Sequence, residues 1–237
     1  MSHGKTVTKA KVTDRRTPEE VLRFIDYQLP ESIALEGFVA DFKVALWKAL
    51  KDRFPGTSIQ GCLLHWTRAV FRKVQEHGRQ TAYKKKNSVY KFVRQLLALP
   101  FPPPEHIEEN FLLLDGRAPE VLAPVVDYVY RTWIRSSVFK IHHWSVFMTS
   151  IWTNNDVEGW HNRLNTSVAT RGSVPFYHLL LVLHREATSI TVQMKMVSEG
   201  KMQRFQRKRT LKVECRVLKL WNDYSERSIS TSELLNG

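Results

Sequence analysis

Five residues carry chemistry that can be read from type and spacing: Asp41, Cys62, His65, Glu158 and His161. Asp41 follows the β-like run Gly37-Phe38-Val39-Ala40 and precedes an amphipathic stretch. The C-terminal edge of a parallel strand is where open α/β sheets place functional groups. Asp is equally a favoured helix N-cap, so position alone leaves both roles open. Cys62 and His65 form a Cys-x-x-His pair. Two ligands fall short of the four or so of a structural zinc site. A buried thiol and a histidine at a helix start account for the same pair. Glu158 and His161 stand three apart on one helix face, where an acid and an imidazole can ligate a metal, move a proton or form a surface pair. Asn155 followed three residues later by Glu158 also matches a capping box.

The elements that must hold these residues follow from periodicity. A helix is expected from Pro18 to Tyr27. Phe42, Ala45, Leu46, Ala49 and Leu50 repeat with helical spacing, and Pro55-Gly56 breaks that helix. Ser58–Leu63 reads as a second short strand and His65–His77 as a basic helix, an order that predicts a parallel βαβ unit. Helices are further predicted over Val89–Leu97, from Glu105, over Pro119–Ile134 with a bend at Pro124, from Asn155, from Phe176, and over Lys201–Tyr224. Arg135–Thr153 is aromatic-rich without a period and reads as a packed loop. The stretch after Ser228 reads as a polar tail.

Composition bounds the function. The chain has 237 residues and a net charge of +13, with 43% hydrophobic residues, which excludes wholesale disorder. No apolar run approaches the roughly 20 residues of a membrane span, and the basic N-terminus lacks the apolar region of a secretory signal. Two cysteines exclude a disulfide framework and point to a reducing, intracellular compartment. The charge is concentrated. Arg68–Arg94 holds nine Lys/Arg against one acid and Lys195–Lys219 nine against two, leaving −2 for the rest of the chain. Each run alone reads as a solvated helix face; two runs on a near-neutral remainder favour a phosphate-binding surface. The candidate DNA contacts are Arg68, Arg72, Lys73, Lys84, Lys85 and Lys86 in the first run, and Arg204, Arg207, Lys208 and Arg209 in the second. Phe71, Tyr83, Tyr90 and Phe92 among them could stack bases, or belong to the core.

Four segments taken in order resemble Mutator-like element (MULE) transposases: Val39-Ala40-Asp41-Phe42, Gly61-Cys62-Leu63-Leu64-His65-Trp66, Phe92–Leu99, and Asn154-Asn155-Asp156-Val157-Glu158-Gly159-Trp160-His161 with the following Asn162–Asn165. The resemblance spans roughly Arg16 to Ile190. It implies an RNase H-like fold with a helical insertion before a final Glu. It also implies a DDE site, in which three carboxylates hold two Mg²⁺ (or Mn²⁺) ions about 3.5–4 Å apart for DNA cleavage and strand transfer. In that frame Asp41 matches the second Asp and Glu158 the final Glu, both as catalytic metal ligands. Cys62 and His65 orient the site, with His161 in support. DNA is the implied partner, homo-oligomers are admitted, and the compartment is the nucleus. The departure is the first Asp: only Asp14 and Asp26 precede Asp41, and neither sits in a strand pattern.

The expected fold is therefore α/β and mainly helical, a partial RNase H-like core with two short parallel strands around Phe38–Ala40 and Ser58–Leu63 and a large helical insertion. The expected parts are a flexible basic tail (1–16), a βαβ part (17–85), the insertion (86–153), C-terminal core helices carrying Glu158 (154–196), and a basic helix with a polar tail (197–237). The expected function is that of an N-terminally truncated, DNA-binding transposase domain, inactive as this chain. The alternative is a non-enzymatic DNA-binding or helical protein-interaction module.

Overall fold

The computed structural model describes residues 17–28, 35–78, 88–168, 174–201 and 208–236. The fold is mainly helical, with one small parallel sheet. It divides into two compact units. The first holds the described residues up to Asn154 together with those from Val217 onward; the second is Asn155–Arg216.

The first unit starts at α1 (Pro18–Gln28). Thr17 and Glu20 form a capping box: the Thr17 N–H donates to the Glu20 carboxylate at 2.7 Å, and the Glu20 N–H to the Thr17 hydroxyl at 3.3 Å. Pro18 follows at the first helical position, where a missing N–H costs nothing. Strand β1 (Gly37–Ala40) buries Phe38 and Ala40 while Gly37 and Val39 stay half-exposed, the alternation of a strand with one face on a core. Helix α2 (Val44–Arg53) crosses to β2 (Ser58–Gly61), which pairs in parallel with β1 in the register Gly37↔Ser58 to Ala40↔Gly61. The predicted βαβ unit is present. Gly56 has φ of +82°, the left-handed conformation that the break before β2 requires. Leu22, Phe38, Trp47, Leu50 and Ile59 form the core of this part.

Strand β2 stops two residues earlier than the pattern predicts. Cys62 takes the cap position and α3 (Leu63–Glu76) starts at Leu63. The main core forms around α3, α4 (Ser88–Leu97) and α5 (Pro104–Asp115). Phe92 is buried in it, so this aromatic of the basic run belongs to the core. Trp66, Trp133 and Trp144 meet there, with ring centroids 5.5–6.4 Å apart. Their indole N–H groups are buried without an oxygen or nitrogen acceptor among the described residues.

The single helix expected over Pro119–Ile134 is three pieces: a 3₁₀ turn at Glu120–Leu122, α6 (Ala123–Val129) and a π turn at Tyr130–Ile134. Pro124 bends nothing, because it lies in the first turn of α6. Residues 135–153 form the expected packed loop, with one 3₁₀ turn at Ile141–His143 and Trp144, Ser145 and Val146 buried. The Val146 N–H donates to the Pro100 carbonyl at 2.7 Å, and the Gln60 amide to the Ser145 carbonyl at 2.7 Å, which ties the loop to the proline segment and to β2.

The second unit contains α7 (Asn155–Val168) and α8 (Phe176–Ser198). Helix α9 (Lys208–Ser225) begins there, and its last turns belong to the first unit. Trp221 on those turns is 1% exposed and donates its indole N–H to the Phe101 carbonyl at 2.9 Å. The polar stretch after Ser228 folds as α10 (Thr231–Asn236), which buries Leu234 and Leu235. Ser230 and Glu233 cap it reciprocally, and the Ser230 N–H and hydroxyl hold the Glu233 carboxyl below its ordinary pKa. Two apolar residues in so short a helix leave no period to read. Among the described residues no helix is long and apolar enough to cross a membrane.

Candidate functional site

The C-terminal edge of the β1–β2 pair gathers three of the candidate residues. Ala40 and Gly61 are register partners, so Asp41 and Cys62 leave the two strands side by side. The Cys62 N–H donates to the Ala40 carbonyl at 2.8 Å and extends the ladder by one bond. His65 lies one turn into α3, half-buried, and its N–H donates to the Cys62 carbonyl at 3.0 Å.

Asp41 is only 5% exposed. It is not the N-cap of α2. Lys43 holds that position, in extended backbone and without a side-chain capping bond. The Asp41 carbonyl accepts from the Lys43 N–H at 2.9 Å and from the Trp47 indole at 2.8 Å, which keeps the chain out of the helix for two further residues. A buried carboxylate at a strand edge is costly unless something engages it, and helix capping is not its reason here.

The strap Trp152-Thr153-Asn154 lies over the same edge. The Leu63 N–H donates to the Trp152 carbonyl at 2.8 Å, and the Cys62 thiol, on a fully buried residue, donates to the Asn154 side-chain oxygen at 3.1 Å. Asn154 occupies the cap position of α7, whose first helical residue is Asn155. A capping box built on Asn154 would place Val157, not Glu158, at its third helical position.

Glu158 and His161 are both half-buried on α7, in the second unit. Asp41, Cys62 and His65 belong to the first. Among the described residues no three His, Cys, Asp or Glu side chains converge as a metal-ligand set. Within the second unit, Trp160 and Arg163 from the same motif are committed to α8. The Trp160 indole and the Arg163 guanidinium both donate to one Glu186 oxygen, at 2.9 and 2.8 Å. The Arg163 bond holds the Glu186 carboxyl below its ordinary pKa.

Gly61 makes the strand edge possible. A Cβ there would lie 2.2 Å from the Phe42 ring and 3.1 Å from the His143 carbonyl oxygen. The Phe42 ring fills that space and meets Trp133 edge-on at 4.6 Å. His143 packs its ring against Trp47 at 4.8 Å and accepts the Lys140 N–H on Nδ1 at 3.1 Å. Burial, and then His142, Lys51 and Lys140, push its pKa down to about 4, so it is neutral at physiological pH.

The first basic run opens on a groove. Arg68 and Arg72 stand one turn apart on α3 and are exposed. With Leu64, Thr67, Phe71, Gln75 and Leu97 they line a hollow of about 430 Å³. Lys73 is engaged elsewhere: its ammonium pairs with Glu76 at 2.6 Å and lies 5.2 Å from the Tyr128 ring centroid. Lys84, Lys85, Lys86, Arg204 and Arg207, and Tyr83 with them, lie outside the described residues; Lys208 and Arg209 open α9, their side chains also outside.

Sequence reasoning missed Asn154 as the partner of Cys62 and Glu186 as the anchor of Trp160 and Arg163, because both partners are distant along the chain. No protein family matches the chain, and no curated protein or solved structure does.

Proposed function

We propose that this chain is a MULE-transposase-derived DNA-binding domain with a partial RNase H-like core, which does not cut DNA by itself. The observation that supports this reading best is the placement of Asp41. It is buried at the C-terminal edge of a parallel strand pair, beside Cys62 of the Cys-x-x-His motif, and it does not cap the helix that follows. That is the position a catalytic carboxylate takes in an open α/β sheet. Binding would use Arg68 and Arg72, whose guanidinium groups suit phosphate oxygens. The resemblance matches only Asp41 and Glu158 to metal-holding carboxylates, which leaves a paired-metal site without its third anionic ligand. Such a role places the chain in the nucleus.

Incubation with labelled duplex DNA in Mg²⁺ or Mn²⁺ tests both halves. The reading expects binding at low salt that weakens steeply as salt rises, and no nicking. Nicking abolished by Asp41→Ala would overturn the inactive state and make the chain an enzyme. No binding at low salt would overturn the DNA role and leave a helical protein-interaction module.

A further inference from the structure

Helix α8 carries an unbroken seven-residue apolar repeat. Phe176, Leu180, Leu183, Ala187, Ile190, Met194 and Val197 follow one another at spacings of four and three, so they form one stripe. All seven are exposed, Phe176 by 67% and Met194 by 50%. The stripe borders the face that α7 covers, where Val182 is buried and Glu186 takes the bonds from Trp160 and Arg163.

We propose that this stripe pairs lengthwise with the same stripe of a second copy of the chain, as a short coiled coil. A strict 3.5-residue repeat is self-complementary: each apolar knob enters a hole between four residues of a like helix. Charge selects the occupant. The positions flanking the stripe are Tyr177, Leu179, His184, Glu186, Thr191 and Gln193. On a chain of net charge +13, none of them is Lys or Arg, and the one acid is neutralised by Arg163 of its own chain. Two copies therefore meet here without like-charge repulsion, while the same flanks offer neither DNA nor an acidic segment a charge to hold. The repeat covers three heptads, about 33 Å at 1.5 Å per residue, the shortest length over which such a seam is commonly sustained. A two-fold pairing closes on itself and exposes no further copy of the patch.

Sedimentation equilibrium of the full chain over micromolar concentrations tests the pairing, independently of any DNA role. The wild type is expected to be a dimer. Ile190→Glu and Leu183→Glu, on the seam, are expected to weaken the dimer at least about tenfold, with helix content by circular dichroism unchanged. Val192→Glu replaces an apolar residue that is 54% exposed but off the seam, and is expected to leave the dimer intact. A monomeric wild type, a dimer that survives both seam changes, or equal loss on Val192→Glu would overturn the proposal.

Discussion

The Cys62 thiol donates to the Asn154 side-chain oxygen at 3.1 Å across 92 residues of sequence. This bond joins two motifs that are far apart in the chain. It fastens the residue that leads into α7 to the edge of the sheet where Asp41 emerges. The Leu63–Trp152 backbone bond beside it makes the attachment two-point. Cys62 is therefore sealed from solvent and engaged with the strap that crosses the strand edge.

Sealing gives the first prediction. Cys62 is buried and Cys215 exposed, and neither is in a disulfide. A thiol reagent is expected to modify one cysteine in the native protein and two after denaturation. Cys62→Ala and Asn154→Ala should each cost roughly 1–2 kcal/mol. Their double mutant should cost less than the sum by about 0.5 kcal/mol or more. Strict additivity in denaturant titrations would show that the two side chains are not coupled.

Gly61 gives the second. A methyl group would have to occupy the space of the Phe42 ring, with the His143 carbonyl behind it. Gly61→Ala is expected to lower stability by about 1–3 kcal/mol, the usual range for overpacking, although helix and strand propensity alone would favour Ala. Phe42→Leu in the same background should recover part of the loss. An unchanged unfolding midpoint for Gly61→Ala would contradict the packing described.

The third concerns pH. His143 titrates near 4 in the folded chain, against an ordinary value near 6.5. The unfolded chain thus binds the proton more readily, and stability falls as pH drops from about 6.5 toward 4. Above about 6.5 both states are neutral at this site and its contribution is flat. His143→Gln is expected to flatten this segment of a stability–pH curve. An identical slope in wild type and variant between pH 6.5 and 4 would assign the acid sensitivity elsewhere.

Local pattern exposed much of this architecture. The alternation at Gly37–Ala40, the break at Pro55-Gly56 and the helical period of Phe42–Leu50 suffice for a parallel βαβ unit, and the structure contains one. Features the sequence leaves open are those decided by contacts. Asp41 is open to a cap role because a helix follows. Yet the Trp47 indole and the Lys43 N–H hold its carbonyl, so the helix waits until Val44. Asn155 and Glu158 read as a capping box, and the helix starts one residue too early for it. Leu234 and Leu235 are too few for a period, and a Ser230–Glu233 cap folds them anyway. Within the site, Asp41 and the Cys-x-x-His pair were visible as types; their tie to Asn154 exists only in space.

The central claim is that the α3 groove meets DNA, and the salt dependence of duplex binding addresses it most directly. Each phosphate contact removed should lower the slope of log affinity against log salt by about 0.9. Arg68→Ala with Arg72→Ala is therefore expected to weaken binding and to flatten that slope by about 2. Binding that persists with an unchanged slope, or no wild-type binding at low salt, would contradict the account.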